Sequence, residues 1–554
     1  MEADSAHATA RCRSRHDGGR RRYDPCAGVR RPSAPCGGSC RRASTGSRRG
    51  SALRRVKDHV VGPLVCGPGN PRMNPSFVSG SAILHRTCAR TSRGRRTGCR
   101  RGATAKLDGW RGGDAMPYRT IAGAGTRYAL LAFDAEGRER TDDPDAADGS
   151  FSRKVLNDIA SERPTDIFIL CHGWKGDIPA SLDQYDRWIA AMDRSPDRSE
   201  AEERRPKFKP FRIGVHWPSQ PWGDEELGSG AGAFDGSADP IALYVDRFGD
   251  RPGLRERIAT VFRAAALDPA ADRLPPDADS AYRDIDGLLT EMGSSGVAAP
   301  PGGDREPFDP QVYFEASLEE ESFGFGSRSL GGILAPLRQL SFWKMKSRAQ
   351  IVGEGGMHAL LRELQSSSAG TTARVHLMGH SFGCIVVSGM LCGRGTADSS
   401  AKSVASLALI QGALSHWSYC GEIPDAVGRQ GYFRGLLDDR LVKGPIVTTR
   451  SIYDTAVGRY YPLAAGVANQ IEFAAGEPPR YGALGAFGAQ GLDPEAIALA
   501  MKPANESYGL EQGRIYNVEA SRYIRNGDGA SGAHNDIDGP EVAHLIWAAA
   551  LAGK

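Results

Sequence analysis

From about residue 118 onward, hydrophobic residues occur in two alternating patterns that together predict an α/β fold. Short runs that are almost wholly apolar predict strands buried on both faces of a sheet. Stretches with apolar residues at helical spacing lie between these runs and predict helices that cover the sheet. This repeated alternation is typical of a mainly parallel sheet with helices on both faces.

Six apolar runs are the predicted strands of this sheet. They are "TDIFILCHGW" (165–174), "FRIGVHWPS" (211–219), "ARVHLMGHS" (373–381), "VASLALIQG" (404–412), "GPIVTTRSIYD" (444–454) and "GRIYNVEAS" (513–521). The segment "TRYALLAFDAEGRE" predicts one more strand, a turn at Glu136-Gly137 and a second strand after the turn. Predicted helices include residues 182–193, 346–365 and 538–553.

Residues from about 223 to 340 interrupt this alternation. Helical pieces at 245–267 and 281–293 alternate there with flexible stretches such as "GSGAGAFDGS". We expect an insertion that lies over the strand ends as a helical cap or lid. A loose surface excursion without such a role is the alternative.

The first 115 residues differ from the rest in charge and composition. They hold 25 Lys and Arg against 7 Asp and Glu, whereas the remaining residues hold 45 against 59. Few aliphatic residues and no periodicity occur there, so we expect a disordered Arg-rich tail ahead of one domain at 116–554. The tail is either a basic arm for nucleic acid or anionic surfaces, or translated upstream sequence with the true start at Met116, which we favour.

The cysteines of the body predict a cytoplasmic protein, and so does the lack of an apolar segment of the length that a membrane span or a signal peptide needs. Four cysteines lie after the tail in apolar surroundings, which suits buried free thiols in a reducing compartment. The sequence contains no run of 18 apolar residues, so it predicts no membrane span. The twin arginine at Arg54-Arg55 is not followed by the apolar core of a signal peptide. The four body cysteines are Cys171, Cys384, Cys392 and Cys420.

The segment "RVHLMGHSFGCIVVSGML" contains the main chemical signal. A G-x-S-x-G match is expected about 0.7 times by chance in so glycine-rich a chain, so its context decides. A predicted strand precedes the match and a predicted helix follows it, so the chain turns sharply at Ser381. Gly379 and Gly383 would relieve the crowding of that turn. This arrangement is that of a nucleophile elbow, which exposes a serine beside a helix N-terminus.

A serine nucleophile needs a base and an orienting acid, which follow the elbow in the order acid, then histidine. Asp454 ends the strand "GPIVTTRSIYD", and His534 lies in the loop "GAHND" before the final helix. We take His534 as the base and Asp454 as the acid, with Asp438 and Asp439 as alternatives for the acid. We expect His544 to be a packing or surface residue. His416 follows the strand directly after the elbow, which is too early in the chain for the base. Asp536 and Asp538 are expected to cap the final helix.

The loop after the strand "DIFILC" is the candidate for the rest of an oxyanion hole. A His172-Gly173 pair at a strand end lets the backbone approach a substrate closely. The amide of Trp174 would then face the carbonyl oxygen together with the amide of Phe382. We expect His172 to fix this loop and not to take a proton. An ordinary glycine-rich strand-to-helix loop is the alternative.

With these motifs in this order, the sequence resembles the α/β-hydrolase superfamily from about residue 118 to 552. The resemblance is strongest at "CHGW", "GHSFG", "RSIYD" and "GAHND". It implies an α/β-hydrolase fold with a sheet of about eight strands, Ser381, Asp454 and His534 as triad, and Trp174 and Phe382 as oxyanion donors. The segment between "VHWPSQPWGDEEL" and the elbow is longer than a minimal member needs.

The leading functional hypothesis is a serine hydrolase of the esterase, lipase or thioesterase type that forms an acyl-enzyme on Ser381. Its partner would be a small-molecule ester or thioester, and Trp174, Trp217, Trp222 and Phe382 suggest an apolar acyl or aryl group. The alternatives are a non-catalytic protein that uses the fold for binding, and a nucleic-acid binder acting through the tail. Metal-ligand spacings are missing, so we predict neither metal nor cofactor.

Overall fold

A nine-stranded sheet has the order β1-β2-β4-β3-β5-β6-β7-β9-β8 in the computed structural model. Its strands are β1 (Tyr118–Thr120), β2 (Arg127–Ala132), β3 (Asp166–Cys171), β4 (Pro210–His216), β5 (Arg374–His380), β6 (Ser406–Ile410), β7 (Ile446–Arg450), β8 (Ala496–Ala500) and β9 (Ile515–Glu519). β1 runs antiparallel to β2, and the seven other neighbouring pairs are parallel. The predicted mainly parallel α/β architecture is confirmed, with nine strands instead of about eight.

The structure describes most of the chain after the predicted tail. The described residues are 118–121, 125–141, 150–174, 178–219, 239–290, 295–322, 332–367, 372–394, 402–461, 478–527 and 529–552. All of them fall within one unit, Gly102–Lys554. The predicted tail, 1–115, and parts of the predicted insertion lie outside the described residues.

Helices connect the strands and also follow the last one. They are α1 (Phe151–Glu162), α2 (Ile178–Arg194), α3 (Pro196–Arg204), α4 (Pro240–Phe248), α5 (Leu254–Leu267), α6 (Pro276–Leu289), α7 (Pro310–Ser322), α8 (Ala335–Val352), α9 (His358–Ser366), α10 (Gly383–Cys392), α11 (Gly435–Asp438), α12 (Leu484–Phe487) and α13 (Pro540–Leu551). The segment Gly353–Met357 joins α8 to α9, and the backbone leaves the helical conformation at Gly355 (φ −94°, ψ −109°), so the predicted helix 346–365 is two helices separated by a kink.

Strand β3 lies in the middle of the sheet, and all six of its residues are buried. Its side chains alternate between two hydrophobic clusters, as the period of a strand requires. Ile169 packs into one cluster together with α8 and α10. Phe168 packs into the other, with α2 and α13. The wholly apolar run in the sequence therefore reflects helices on both faces of the sheet.

Two details of the sheet differ from the prediction. After the turn at Glu136-Gly137 the chain makes a single bridge, Phe133 to Glu139, and no second strand. The strand β8 was not predicted, and it pairs in parallel with β9 at the edge of the sheet. Its sequence, AIALA, is wholly apolar but rich in alanine, which favours helices over strands, and none of its five residues is fully buried.

Four helices, α4 to α7, lie between β4 and β5, where the insertion was predicted. Their apolar side chains belong to the same hydrophobic cluster as β4 and α8. The Tyr282 hydroxyl of α6 donates a hydrogen bond to the carbonyl of Ile333 (2.6 Å). Farther along, the Lys346 ammonium of α8 donates to the Asp304 carboxylate and to the Tyr461 hydroxyl. These helices are therefore packed on the sheet domain, and their role as a cap stays a prediction.

The four cysteines of the body are free, as predicted. Cys171, Cys384 and Cys420 are buried, and Cys392 is partly buried. Of the helices in the described ranges, none has both the length and the hydropathy needed to cross a membrane.

At the amino end of β3, the buried Asp166 carboxylate joins β3 to β5 and to Arg205, which follows α3. Its oxygens lie 2.9 Å from nitrogens of Arg205 and Arg374 and 3.0 Å from His376 Nε2. Burial disfavours the charged form of Asp166, but hydrogen bonds from His376 and Arg374 outweigh it and hold the pKa of this carboxyl below its usual range. The carboxylate thus stays ionised where β3, β4 and β5 begin.

We expect Asp166→Ala to lower the free energy of unfolding by about 3–5 kcal/mol, because it leaves buried cationic and imidazole groups without their acceptor. Urea unfolding followed by circular dichroism measures this change. Because the pKa of Asp166 is depressed in the folded state, its contribution is present above about pH 4 and is lost as the pH falls further. Asp183→Ala is the control, since Asp183 is exposed and pairs with Arg187 on the helix surface, and it should change stability by less than about 0.5 kcal/mol.

Candidate active site

Ser381 occupies the turn between β5 and α10. β5 ends at His380 and α10 begins at Gly383, so two residues make the turn. The φ angle of Ser381 is +55°, a left-handed conformation that residues other than glycine rarely adopt. The Ser381 amide donates to the carbonyl of Ile410 (3.2 Å), and its carbonyl accepts from the amide of Ala413 (3.1 Å). These bonds to the end of β6 hold the strained turn in place.

Gly379 and Gly383 are glycines because a side chain at either position would collide with backbone. A Cβ at Gly379 would lie 2.7 Å from the Cys384 nitrogen. A Cβ at Gly383 would lie 2.3 Å from the carbonyl oxygen of Cys171 and 2.7 Å from that of His172. The first helical turn of α10 therefore rests directly on the backbone that leaves β3.

The loop after β3 approaches Ser381 equally closely. A Cβ at Gly173 would lie 2.5 Å from Ser381 Cβ and 3.1 Å from Ser381 Oγ. Only a glycine allows the backbone of this loop to pass beside the serine side chain. The loop and the elbow are thus one packed unit, although they lie about 200 residues apart in sequence.

His172 is fully buried and bonded within this loop. Its Nδ1 lies 2.8 Å from the carbonyl oxygen of Gly173, and its backbone amide donates to the Tyr185 hydroxyl (2.9 Å). The ring of Trp217 stacks on the His172 ring, with centroids 5.8 Å apart, and the Trp217 indole N–H donates to the His172 carbonyl (3.1 Å). These contacts fix the course of the loop, which is the role expected for His172.

The backbone N–H groups of Trp174 and Phe382 are the two predicted oxyanion donors. Within the part of the chain that the structure describes, neither N–H donates to a protein acceptor. Both N–H groups are therefore available to an acceptor that the protein itself does not provide. The two residues are neighbours in space, because their rings lie 6.0 Å apart.

Asp454 and His534 form a buried pair. His534 Nδ1 lies 2.7 Å from Asp454 Oδ2, and the two side chains are 11% and 0% exposed. The other carboxylate oxygen, Oδ1, accepts from the amide of Val457 (3.2 Å). Asp454 follows β7, and His534 lies in the short 3₁₀ segment Gly529–Asn535 before α13. Residues 80 positions apart are thus brought into direct contact.

His380 holds the loop that carries His534 against the elbow. His380 Nε2 donates to the backbone carbonyl of His534 (2.9 Å), and the two imidazole rings are 4.8 Å apart. Burial, and secondarily the charge of His534, place the pKa of His380 well below its usual value. His380 is therefore neutral, and its Nδ1 can accept from the side-chain amide of Gln184 (3.2 Å). The residue before Ser381 thus anchors the loop of the candidate base.

All of these groups follow the carboxyl ends of neighbouring parallel strands. The order β3-β5-β6-β7-β9 is uninterrupted in the sheet. The loop after β3 carries Trp174, the loop after β5 carries Ser381, and those after β7 and β9 carry Asp454 and His534. In sheets of this kind the carboxyl edge is where ligands bind. The structure therefore brings the predicted site residues to one edge.

The alternative acids and histidines lie in other surroundings. Asp438 pairs with Arg434 on the surface (2.8 Å). His544 pairs with Asp197 (2.8 Å), in keeping with a packing role. Burial lowers the pKa of His416 to about 3, and its ring is packed between Trp417 and Phe487. None of these contacts involves Ser381.

The prediction that Asp536 and Asp538 cap the final helix is wrong. The residue before α13 is Gly539, and no side chain caps this helix. Asp536 instead accepts hydrogen bonds from the backbone amides of Arg525 (2.9 Å) and Asn526 (2.7 Å). Asp538 pairs with Arg187 (3.1 Å). The Asp536 carboxylate therefore closes the loop that contains His534, because it binds backbone amides on the other side of this loop and not the amides at the start of α13.

Gln411 is part of the site and was not identified in the sequence. It follows β6, is fully buried, and its Nε2 donates to Asp454 Oδ2 (2.7 Å). Its position in the sequence was the available signal. Gln411 is a polar residue directly after an apolar strand, and β6 neighbours the strand that carries Ser381, so Gln411 lies at the same edge of the sheet as Ser381.

The four aromatic residues proposed for the mouth of the site divide into two groups. Trp174 and Phe382 form a cluster with Phe342 of α8, whose ring lies 5.6 Å from Trp174 and 5.1 Å from Phe382. Trp217 is fully buried against His172 and belongs to the core. Trp222 lies outside the described residues.

Comparison with protein-family models, curated proteins and solved structures finds no match for this chain. The chemistry of the site is therefore argued from geometry alone. Within the described ranges, no group of three or more His, Cys, Asp or Glu side chains is arranged to hold a metal ion.

We expect Gly383→Ala to lower the free energy of unfolding by about 3 kcal/mol, because the new Cβ would meet a backbone carbonyl that cannot move aside. Urea unfolding followed by circular dichroism measures this change. Gly287→Ala in α6 is the matched control. A Cβ there meets nothing within 4 Å, so it should stabilise the protein by about 0.5–1 kcal/mol.

Proposed function

We propose that this protein is a serine hydrolase of the α/β-hydrolase type that cleaves a carboxylic ester or thioester through an acyl-enzyme on Ser381. The observation that carries the proposal is the left-handed turn at Ser381 between β5 and α10, packed against the loop after β3. A buried Asp454–His534 pair at the same sheet edge supports it. Together these features match the strand, turn and helix of a nucleophile elbow with an acid and a histidine in the expected order.

In this mechanism His534 is the base and Asp454 sets its tautomer. An ionised carboxylate only accepts hydrogen bonds, so the Nδ1 that faces Asp454 Oδ2 carries the proton. The lone pair of Nε2 is then available for the proton of Ser381. The Ser381 oxygen attacks the carbonyl carbon, and the protonated Nε2 later gives its proton to the leaving alcohol or thiol. A water molecule, activated in the same way, releases the acid product and restores Ser381.

The amides of Trp174 and Phe382 stabilise the negative oxygen of the tetrahedral intermediate. Their N–H groups lack protein acceptors among the described residues, so no existing hydrogen bond has to break when the substrate binds. Each oxyanion donor of this kind contributes about 2.7–4 kcal/mol to lowering the barrier. The positive end of the α10 helix dipole acts in the same direction.

The substrate group next to the carbonyl is expected to be apolar. The rings of Trp174, Phe342 and Phe382 are in mutual contact beside the oxyanion donors. The Trp174 indole N–H is buried and has no acceptor among the described residues. An ester whose acyl or aryl group packs on these rings, and which offers an oxygen to this N–H, would bind well. The four free cysteines support a reducing, cytoplasmic compartment for this reaction.

A biotinylated fluorophosphonate should label the wild-type chain covalently, because an activated serine attacks the phosphorus. Labelling should disappear in Ser381→Ala and persist in Ser388→Ala, whose buried hydroxyl donates to a carbonyl within α10. In-gel detection and peptide mass spectrometry identify the modified residue. Labelling of the wild type and of Ser381→Ala to the same extent would count against this function and in favour of a non-catalytic binding protein.

Asp454→Asn should reduce kcat for p-nitrophenyl esters by about 10³–10⁴-fold and leave KM within about threefold, because an asparagine no longer holds the required tautomer of His534. Steady-state kinetics over several acyl-chain lengths measure this change. Asp438→Asn, which alters a surface carboxylate, should leave kcat unchanged. If the two variants behaved alike, the acid would have to be sought elsewhere.

A further inference from the structure

Gln411 has a strained backbone and a fully satisfied side chain. Its φ angle is +46°, and the residue is fully buried directly after β6. Its backbone packs closely against Gly485, where a Cβ would lie 2.7 Å from the Gln411 carbonyl carbon. A non-glycine residue in this conformation costs about 1–2 kcal/mol. The surroundings therefore hold Gln411 in one position.

Thr449 of β7 makes two hydrogen bonds with Gln411. The Gln411 backbone N–H donates to Thr449 Oγ1 (2.9 Å). Gln411 Oε1 lies 2.9 Å from the same hydroxyl. A hydroxyl can both donate and accept, so this end of the amide fits as the oxygen, and the other end decides the orientation.

The other end of the amide faces acceptors only, which independently requires the nitrogen there. Gln411 Nε2 lies 2.7 Å from Asp454 Oδ2 and 3.5 Å from the carbonyl oxygen of Gly485. Neither group can donate while Asp454 is ionised. The two ends of the side chain therefore agree on one orientation, with the N–H pointing to Asp454.

The chain of bonds continues to His534. Asp454 Oδ2 accepts a hydrogen bond from Gln411 Nε2 and lies 2.7 Å from His534 Nδ1. A donor that cannot reverse disfavours a proton on this carboxylate oxygen, so the carboxylate stays an acceptor for Nδ1–H. We propose that Gln411 and Thr449 are positioning residues that fix the proton of His534 on Nδ1; this rests on the serine hydrolase function proposed above.

The pair acts through Asp454 and not on the substrate. Both residues are fully buried, and their side-chain hydrogen bonds go to each other, to Asp454 and to the carbonyl of Gly485. Replacing Gln411 removes one hydrogen bond that the charged form of the Asp454 carboxylate accepts. The acid limb of the pH–rate profile should then move to higher pH, a change that a purely structural residue would not cause.

Thr448 provides a matched control on the same strand. It is as buried as Thr449, but its hydroxyl has no hydrogen-bond partner among the described residues. Thr449→Val and Thr448→Val remove the same atom from adjacent positions. Thr449→Ser retains the hydroxyl and should restore the function that Thr449→Val loses.

The experiment measures kcat, KM and pH profiles of the full chain with p-nitrophenyl butyrate, per molecule titrated by fluorophosphonate. We expect Thr449→Val and Gln411→Met to lower kcat about 10–100-fold with KM unchanged, since a hydrogen bond to a charged group contributes about that factor. Their acid limbs should move upward, whereas Thr448→Val and Thr449→Ser stay within about twofold of the wild type. In the proton NMR spectrum, the signal of the hydrogen-bonded Nδ1–H of His534 should weaken by proton exchange with water in Thr449→Val and Gln411→Met, and not in the other two variants.

The results separate this proposal from the proposed function. If the wild type neither hydrolyses esters nor reacts with fluorophosphonate, the proposed function fails, and the Nδ1–H signal alone tests the bond chain. If the wild type is active but Thr449→Val and Thr448→Val show the same kcat, pH profile and Nδ1–H signal, the positioning role is overturned. Equal losses of stability in both variants, without a shift of the acid limb, would also contradict it.

Discussion

Backbone packs on backbone where β3, β5 and α10 meet, and the whole site depends on this contact. The carbonyl of Cys171 lies where any side chain at Gly383 would have to be, and Ser381 lies where any side chain at Gly173 would have to be. Such contacts do not depend on rotamers, so they fix distances more tightly than side-chain packing does. The Ser381 turn, the Trp174 loop and the start of α10 can move only together.

A second level of order comes from hydrogen bonds with a single possible direction. The Gln411 backbone N–H donates to the Thr449 hydroxyl, this hydroxyl donates to Gln411 Oε1, and Gln411 Nε2 donates to Asp454. On the other side of the pair, His380 donates to the backbone of His534. The Asp454–His534 pair is therefore held from two sides, by groups that belong to different strands. Buried polar groups of this kind stabilise a structure only when all are satisfied.

The central strands and the chain order of the candidate site could be predicted, because both leave local signals. The apolar run of β3 reflects two covering layers, and Gly379 reflects crowding by the backbone of Gly383 and Cys384, within five residues. β8 could not be predicted, because its short apolar run AIALA is made mostly of alanine, which favours helices and does not indicate a strand. The contacts of Asp536 and Gln411 were missed for a different reason. Their partners lie 10 to 43 residues away, and such pairings depend on the assembled sheet.

The order in which the site residues occur along the chain matters during synthesis. Translation completes β5 and the strained turn at Ser381 long before β9 and the segment with His534 exist. The contact between His380 and the His534 backbone joins the end of β5 to a segment that follows β9. It can therefore form only after the last strand of the sheet has been made.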